Sequence, residues 1–269
     1  MSRVEKSSGA DYGNAGVLGV LTPQANTTVE PELWALLPPG WSMLNARLVS
    51  GKSTIEQRLV DYTNRYAETC GQFANAPVSV LAAACTGASY LIGKQAEAAL
   101  VAEIEAARSL PFITAALAAT AALQEMGARQ IALLTPYPES LNAASEIYWQ
   151  EQGFEVVAKA GPALKTEAFH PIYAMHGSGV YAAYEELSQT KADAILMLGT
   201  GMATLGSLIA GRQAGLKTAV SCNLAIAWAV SRAHDATGTR PLADWLDGSG
   251  WADRLRLMHP KAILQDSQP

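Results

Sequence analysis

The chain has 269 residues, of which 49% are hydrophobic and 16% charged, and a formal net charge of −5. That is apolar material for one large or two compact α/β domains, with little room for disorder. Lys and Arg are scattered singly, so no basic stripe exists to neutralise a phosphate backbone, which excludes nucleic acid as a partner.

The polar opening MSRVEKSSGADYGNA and the short apolar run after it do not form a secretory signal. The richest later stretch, FITAALAATAALQEMGA, carries two threonines and falls short of the roughly 20 apolar residues that a membrane span needs, so no membrane partner is expected. Three widely spaced cysteines, Cys70, Cys85 and Cys222, fit a reducing cytoplasm. No histidine pair stands at helical ligand spacing and no CxxC or HExxH occurs, so no metal is expected. A dinucleotide fingerprint and a phosphate loop are missing too, and no cofactor is expected.

Short Val/Ile/Leu-rich runs alternate with segments of helical period, the pattern of βαβ units and a parallel sheet. A first strand is predicted over 16–22, then a turn from Thr22 through Pro23 to Asn26, then a helix from about Thr28. Glu30 and Glu32 fall in that helix's first turn, where they complement the N-terminal dipole, and Pro31 is tolerated there. A strand over 43–49 precedes a helix over 54–74, in which Ser53 caps and Glu56 reaches back at capping-box spacing. Further strands are predicted over 78–84, 129–134, 154–159, 193–198 and 217–221. Helices are predicted over 89–108, 115–127, 139–152, 178–189, 202–214 and 223–234.

Two stretches recur. GVLTPQANT around Thr22 returns as IALLTPYPES around Thr135, 113 residues on, and VLAAACTGASYLIG around Thr86 returns as ILMLGTGMATLGSL around Thr200, 114 on. Two strand-turn-helix pairs at nearly one spacing predict two lobes of similar fold, each giving two turns to a shared cleft. With crossings near Pro111 and residue 221, the first lobe takes 1–112 and 222–269 and the second takes 113–221. Ligands of parallel sheets sit beyond the strands' carboxyl ends, where all four turns lie.

Cys85 is the sharpest single residue, because it ends a strand and starts a helix, where the dipole is expected to lower a thiol pKa. Cys70 and Cys222 read as inert core residues. Asn26 and Thr27 stand beside unpaired helix-start amides and suit a carboxylate, although Asn26 reads equally as a turn and cap residue. Thr86 and Gly87, with Gly199, Thr200 and Gly201 in the repeat, bring hydroxyls, small side chains and open amides against a ligand. Tyr137 can donate its phenol to the same anion. Pro23, His170 and His176 are lesser candidates, the histidines as acid or ligand residues in FHPIYAMHGSG.

The segments TPQANTTVEPE, AAACTGAS, IALLTPYPESLN and ADAILMLGTGMATL, in that order, resemble the aspartate/glutamate racemase superfamily, and within it the branch of maleate cis-trans isomerases and arylmalonate decarboxylases. The resemblance covers roughly residues 15–235. It implies a two-lobed, cofactor-free enzyme that binds a small dicarboxylate between two pseudo-symmetric lobes and that associates with further copies of itself. Carried over, Cys85 matches the first of the two family cysteines, Asn26 the carboxylate-binding asparagine and Tyr137 the carboxylate-binding tyrosine. The second cysteine is absent, replaced by Gly199 or Thr200. Decarboxylases of the branch keep the second cysteine and carry glycine at the first, so the arrangement here is inverted.

One thiol disfavours two-base racemisation. It suffices for cis-trans isomerisation of a maleate-like diacid by addition, rotation and elimination, which ranks first, with donors stabilising the enediolate. Decarboxylation of a substituted malonate, with Cys85 protonating one face of a similar enediolate, is the alternative. A third expectation is a carboxylate-binding protein that has lost turnover.

Overall fold

The computed structural model describes residues 11–162 and 171–264. Strands β1 (Gly16–Pro23), β2 (Trp41–Leu48), β3 (Val80–Ala83) and β4 (Phe112–Thr114) pair in parallel in the order β2-β1-β3-β4. Strands β5 (Gln130–Leu134), β6 (Glu155–Ala160), β7 (Ala194–Met197) and β8 (Ala219–Ser221) form a second parallel sheet in the equivalent order, β6-β5-β7-β8. The α/β class and the two similar parallel sheets are as the sequence predicts. All eight residues of β1 are buried, as in a central strand covered on both faces, which is why it reads as an unbroken apolar run. Leu18 pairs with Val80 and Ile131 with Ala194, so the sheets repeat at the 113- and 114-residue offsets of the sequence.

The helices of the first half are α1 (Val29–Leu36), α2 (Ile55–Asn64), α3 (Tyr66–Cys70), α4 (Thr86–Arg108) and α5 (Ala115–Glu125). Those of the second are α6 (Glu139–Glu151), α7 (Gly177–Ser188), α8 (Leu205–Gln213), α9 (Cys222–His234), α10 (Leu242–Leu246) and α11 (Ala252–Met258). Helix α5 follows β4 with Thr114 as its cap, and α9 follows β8 with Ser221 as its cap. These two crossings pack on one another, and α9 also packs against α1, β3 and β4.

Three local expectations are corrected. The single helix over 54–74 is α2, α3 and a 3-10 turn at Gly71–Phe73, broken at Arg65, where ψ is −2°. Its cap is Thr54, which accepts from Gln57 N at 3.2 Å, while Glu56 accepts from Ser140 Oγ instead of closing a capping box. Strand β4 was not anticipated, since three residues after Pro111 show no period, and it keeps residues 113 and 114 with the first sheet. No helix among the described residues is long and apolar enough to cross a membrane.

A buried carboxylate helps to lock the two halves. Glu97 on α4 is 1% exposed and accepts from Ser89 Oγ at 2.6 Å, Thr114 Oγ1 at 2.5 Å and Tyr148 OH at 2.5 Å. Three donors on α4, β4 and α6 meet one charge that water cannot reach, and hydrogen bonds to charged groups are the costly ones to lose. Tyr148→Phe is therefore expected to destabilise the fold by about 1.5–3 kcal/mol, read as a lower urea midpoint with an unchanged slope.

Candidate active site

Cys85 lies where the sequence predicts, between β3 and α4 at the carboxyl edge of the first sheet, and is 4% exposed. Its expected acidity is corrected. Burial pushes the thiol up to about 12, and the Ala88 N–H of the helix start offsets only part of this. Desolvation wins because no cation among the described residues offsets it at the sulfur. Its electrostatic neighbours are phenols, those of Tyr62, Tyr66, Tyr137 and Tyr173. Burial thus favours the protonated thiol of Cys85 at neutral pH, with phenols rather than cations as its electrostatic neighbours.

The turn of the second sheet comes directly against it. Thr200 Oγ1 donates to Ala84 O at 2.8 Å and accepts from Asn26 Nδ2 at 3.2 Å, so one hydroxyl ties both halves together beside the thiol. Asn26 also accepts from Thr28 N at 2.9 Å and Val29 N at 3.1 Å, capping α1. It is both a cap and a cleft residue, with one amide proton left for a ligand. Thr28 rather than Thr27 crosses to the second half, donating to Gly201 O at 2.8 Å.

Gly199 stands 114 residues after Cys85, and β7 stands 114 residues after β3, so Gly199 occupies the position related to the thiol by the internal repeat. Its φ of +84° favours glycine. A Cβ there would meet Ile172 Cδ1 at 2.8 Å and Pro136 Cγ at 2.9 Å, with the Tyr137 hydroxyl at 3.4 Å. At Gly201 the Tyr173 ring fills the equivalent space. Gly87 serves packing, since a Cβ there would press on Leu59 and Leu141.

Tyr137 is half-buried, its phenol pushed up by burial, and it packs edge-on against Tyr90 at 6.2 Å. Its turn is held by Asn142, which donates to Tyr137 O at 3.0 Å and accepts from Thr135 Oγ1 at 2.6 Å. The Thr86 hydroxyl is 1% exposed, lies in reach of Tyr137 and Cys222, and has no hydrogen-bond partner among the described residues. A buried hydroxyl beside a phenol and the opening amides of α4, whose first segment runs to the break at Gly93 (φ +76°), suits an oxyanion.

The other candidates lie farther out. Pro23 ends β1, and its carbonyl accepts from Asn26 N at 3.0 Å, closing the turn. Thr27 is exposed and, with His176 at the cap of α7, lines a cavity of about 590 Å³ that also includes His259 and Lys261. His170 lies outside the described residues. Sequence reasoning missed Thr28, the tyrosines near the thiol and the role of Glu32, while Cys222 is a buried core residue as expected. Glu32 is buried and accepts from α8 and α9 rather than serving its own helix, and Cys222 sits beneath Thr86 with its thiol pushed by burial to about 11.

Comparison with known proteins agrees with this geometry. The family model for arylmalonate decarboxylase matches residues 18–242. A maleate isomerase of Pseudomonas putida is 31% identical over 150 residues, which is 52% of this chain, and the chain spans about 60% of that relative's length. A Nocardia farcinica maleate cis-trans isomerase mutant, solved with a covalently bound succinylcysteine intermediate, superposes with a TM-score of 0.69 at 24% identity, covering 82% of this chain and 93% of that one. A liganded double mutant of arylmalonate decarboxylase gives a TM-score of 0.71 at 19% identity, covering 88% and 97%. At these identities the two structures share the fold.

Gly199→Ala is expected to cost about 1–3 kcal/mol, from the left-handed φ and from the contacts with Ile172 and Pro136. A melting temperature equal to that of the parent would show that the turn has room for a side chain at this position.

Proposed function

Given that the chain belongs to the arylmalonate decarboxylase family, we propose that it is a cofactor-independent enzyme that decarboxylates a substituted malonate, with the Cys85 thiol delivering the proton. The observation that carries this reading is the placement of Cys85: 4% exposed between β3 and α4, with phenols as its electrostatic neighbours, an environment that disfavours the thiolate. An acid is what such a site can supply.

One carboxylate of the malonate is accepted by the Thr86 hydroxyl, the Tyr137 phenol and the amides at the start of α4. The other faces the tyrosines near the thiol, where desolvation disfavours its localised charge. The C–C bond breaks, carbon dioxide leaves, and the bonding pair passes into the remaining carboxylate to form an enediolate. The S–H of Cys85 then protonates the α carbon, and the thiolate regains a proton from water. Gly199 offers no acid on the opposite side, so protonation comes from the Cys85 face and a prochiral substrate yields one enantiomer.

Isomerisation of a maleate-like diacid, ranked first from sequence, becomes the second reading. It is favoured by the 31% identity to a maleate isomerase and by the Ala88 N–H directed at the sulfur. It needs Cys85 as a thiolate, which burial opposes. Three free, buried cysteines support placing the enzyme in a reducing cytoplasm, and self-association belongs to the same proposal.

Proton NMR in deuterated buffer, with phenylmalonate and maleate in separate samples, tests the choice. Deuterated phenylacetate is expected, reduced about 10²–10⁴-fold in Cys85→Ala. Fumarate from maleate would put isomerisation first. Silence in both samples would favour a non-catalytic carboxylate binder. The pH profile separates the two chemistries independently: an acid Cys85 gives a rate that is level from neutral pH and falls only as pH approaches the raised thiol value of about 12, whereas a nucleophilic thiolate gives a rate that climbs over that range.

A further inference from the structure

Glu32 is 5% exposed, yet its carboxylate is one of the most heavily bonded groups in the described chain. Its Oε1 accepts from Thr204 N at 2.6 Å and Leu205 N at 3.1 Å, so it caps α8 from a helix of the other half. Thr204 Oγ1 reaches both oxygens, at 3.3 and 3.2 Å. Its Oε2 accepts from Asn223 Nδ2 at 2.7 Å, the first turn of α9. Three elements, α1, α8 and α9, therefore converge on one charge just behind the Gly199–Gly201 turn.

The bond to Asn223 carries the consequence. The same Nδ2 donates its second proton to Thr200 O at 3.1 Å, and Asn223 Oδ1, though buried, has no partner among the described residues. Flipping would set that oxygen against Glu32 Oε2 and the Thr200 carbonyl, the two acceptors that the Nδ2 side now meets, so the Nδ2 side faces them. Glu32, with the shorter of the two bonds, anchors Asn223 in the orientation that the Thr200 carbonyl also requires, and Asn223 holds that carbonyl. In a trans peptide the carbonyl and the following N–H point in opposite directions, so this also turns the Gly201 N–H away from α9. Thr28 Oγ1 holds the next carbonyl, that of Gly201, in the same manner. Thr200 itself carries the hydroxyl that joins Asn26 to Ala84, one residue before the thiol.

We propose that Glu32 is a positioning residue for the active site, acting through Asn223 to set the Thr200–Gly201 peptide against Cys85. This rests on the functional reading above for its activity readout. Replacing the carboxylate by an amide removes the constraint: in Glu32→Gln a second NH2 faces Asn223, and the Asn223 amide gains by rotating to present Oδ1 to it. That rotation sets two oxygens against each other at Thr200 O and releases the turn.

The test compares wild type, Glu32→Gln, Asn223→Ala and the double variant at matched folded fraction, using phenylmalonate turnover together with iodoacetamide alkylation of Cys85, located by peptide mass spectrometry and run at about pH 10 so that part of the buried thiol ionises, in the presence and absence of phenylmalonate. Glu32→Gln is expected to lower kcat about 100-fold, the loss that a misplacement of about 1 Å brings, with KM changed only a few-fold. The double variant should be no worse than the poorer single variant, because both substitutions release the same peptide. Thr204→Val, which removes a hydroxyl from Glu32 but leaves Asn223 alone, should lower the melting temperature without this kcat loss. Unchanged kcat in Glu32→Gln, or losses that simply multiply in the double variant, would overturn the assignment. If Glu32→Gln does not fold, Asn223→Ala alone decides between a kcat loss and none. A wild type that neither turns over phenylmalonate nor is protected by it from alkylation overturns the functional reading, and this inference with it. A protected, active wild type with an equally active Glu32→Gln overturns only the inference.

Discussion

The cleft depends on a single hydroxyl. Thr200 Oγ1 donates to Ala84 O and accepts from Asn26 Nδ2, so the last turn of one sheet is bonded to two turns of the other within one residue of the thiol. A hydroxyl is suited to this place because it donates and accepts at once, and burial makes each bond costly to leave unmade. With the Thr28–Gly201 and Glu32–Thr204 bonds it makes a polar seam between the carboxyl ends of the two sheets, beside a thiol that is 4% exposed and the buried Thr86 hydroxyl.

Two buried carboxylates extend that seam in opposite directions. Glu97 gathers α4, β4 and α6 through three hydroxyl donors, and Glu32 gathers α1, α8 and α9 through amides and Asn223. Burial raises the pKa of Glu32, with the Asn223 and Thr204 bonds opposing the shift. A buried acid of this kind contributes less through net energy than through geometry, since its acceptors admit one arrangement of the donors around it.

The repeated parallel architecture was legible because buried strands read as apolar runs and because each turn recurs with its threonine at a fixed offset. Cys85, Asn26, Thr86, Tyr137, Gly199 and Thr200 are brought to one cleft for that reason. What escaped prediction shares a different cause. Glu32 had a sufficient local explanation in the dipole of its own helix, and its partners at Thr204 and Asn223 stand 172 and 191 residues away. Thr54 took the cap from Ser53, and Thr28 took the interlobe contact from Thr27, each a shift of one residue that turns a side chain to another face. The acidity of Cys85 was misjudged because a helix start is visible in sequence, whereas the absence of water around it is a property of the packed cleft.

The inverted arrangement of thiol and glycine follows from the same packing. Gly199 sits where the repeat would place a partner for Cys85, and its left-handed backbone, together with Ile172 and Pro136, fills the space that a side chain would need. The second half has therefore exchanged chemistry for closeness: a bare Cα lets the Tyr137 phenol approach the turn. Two-base proton exchange at a stereocentre requires an acid and a base on opposite sides of one carbon, and here a thiol stands at one of the two repeat-related positions and a glycine at the other. A reaction that ends in a single proton delivery, or in one thiol adding and leaving, makes no demand on the empty side. On the proposed reading, the packing that leaves no room for a side chain at Gly199 is also what makes the face of Cys85 decide the outcome.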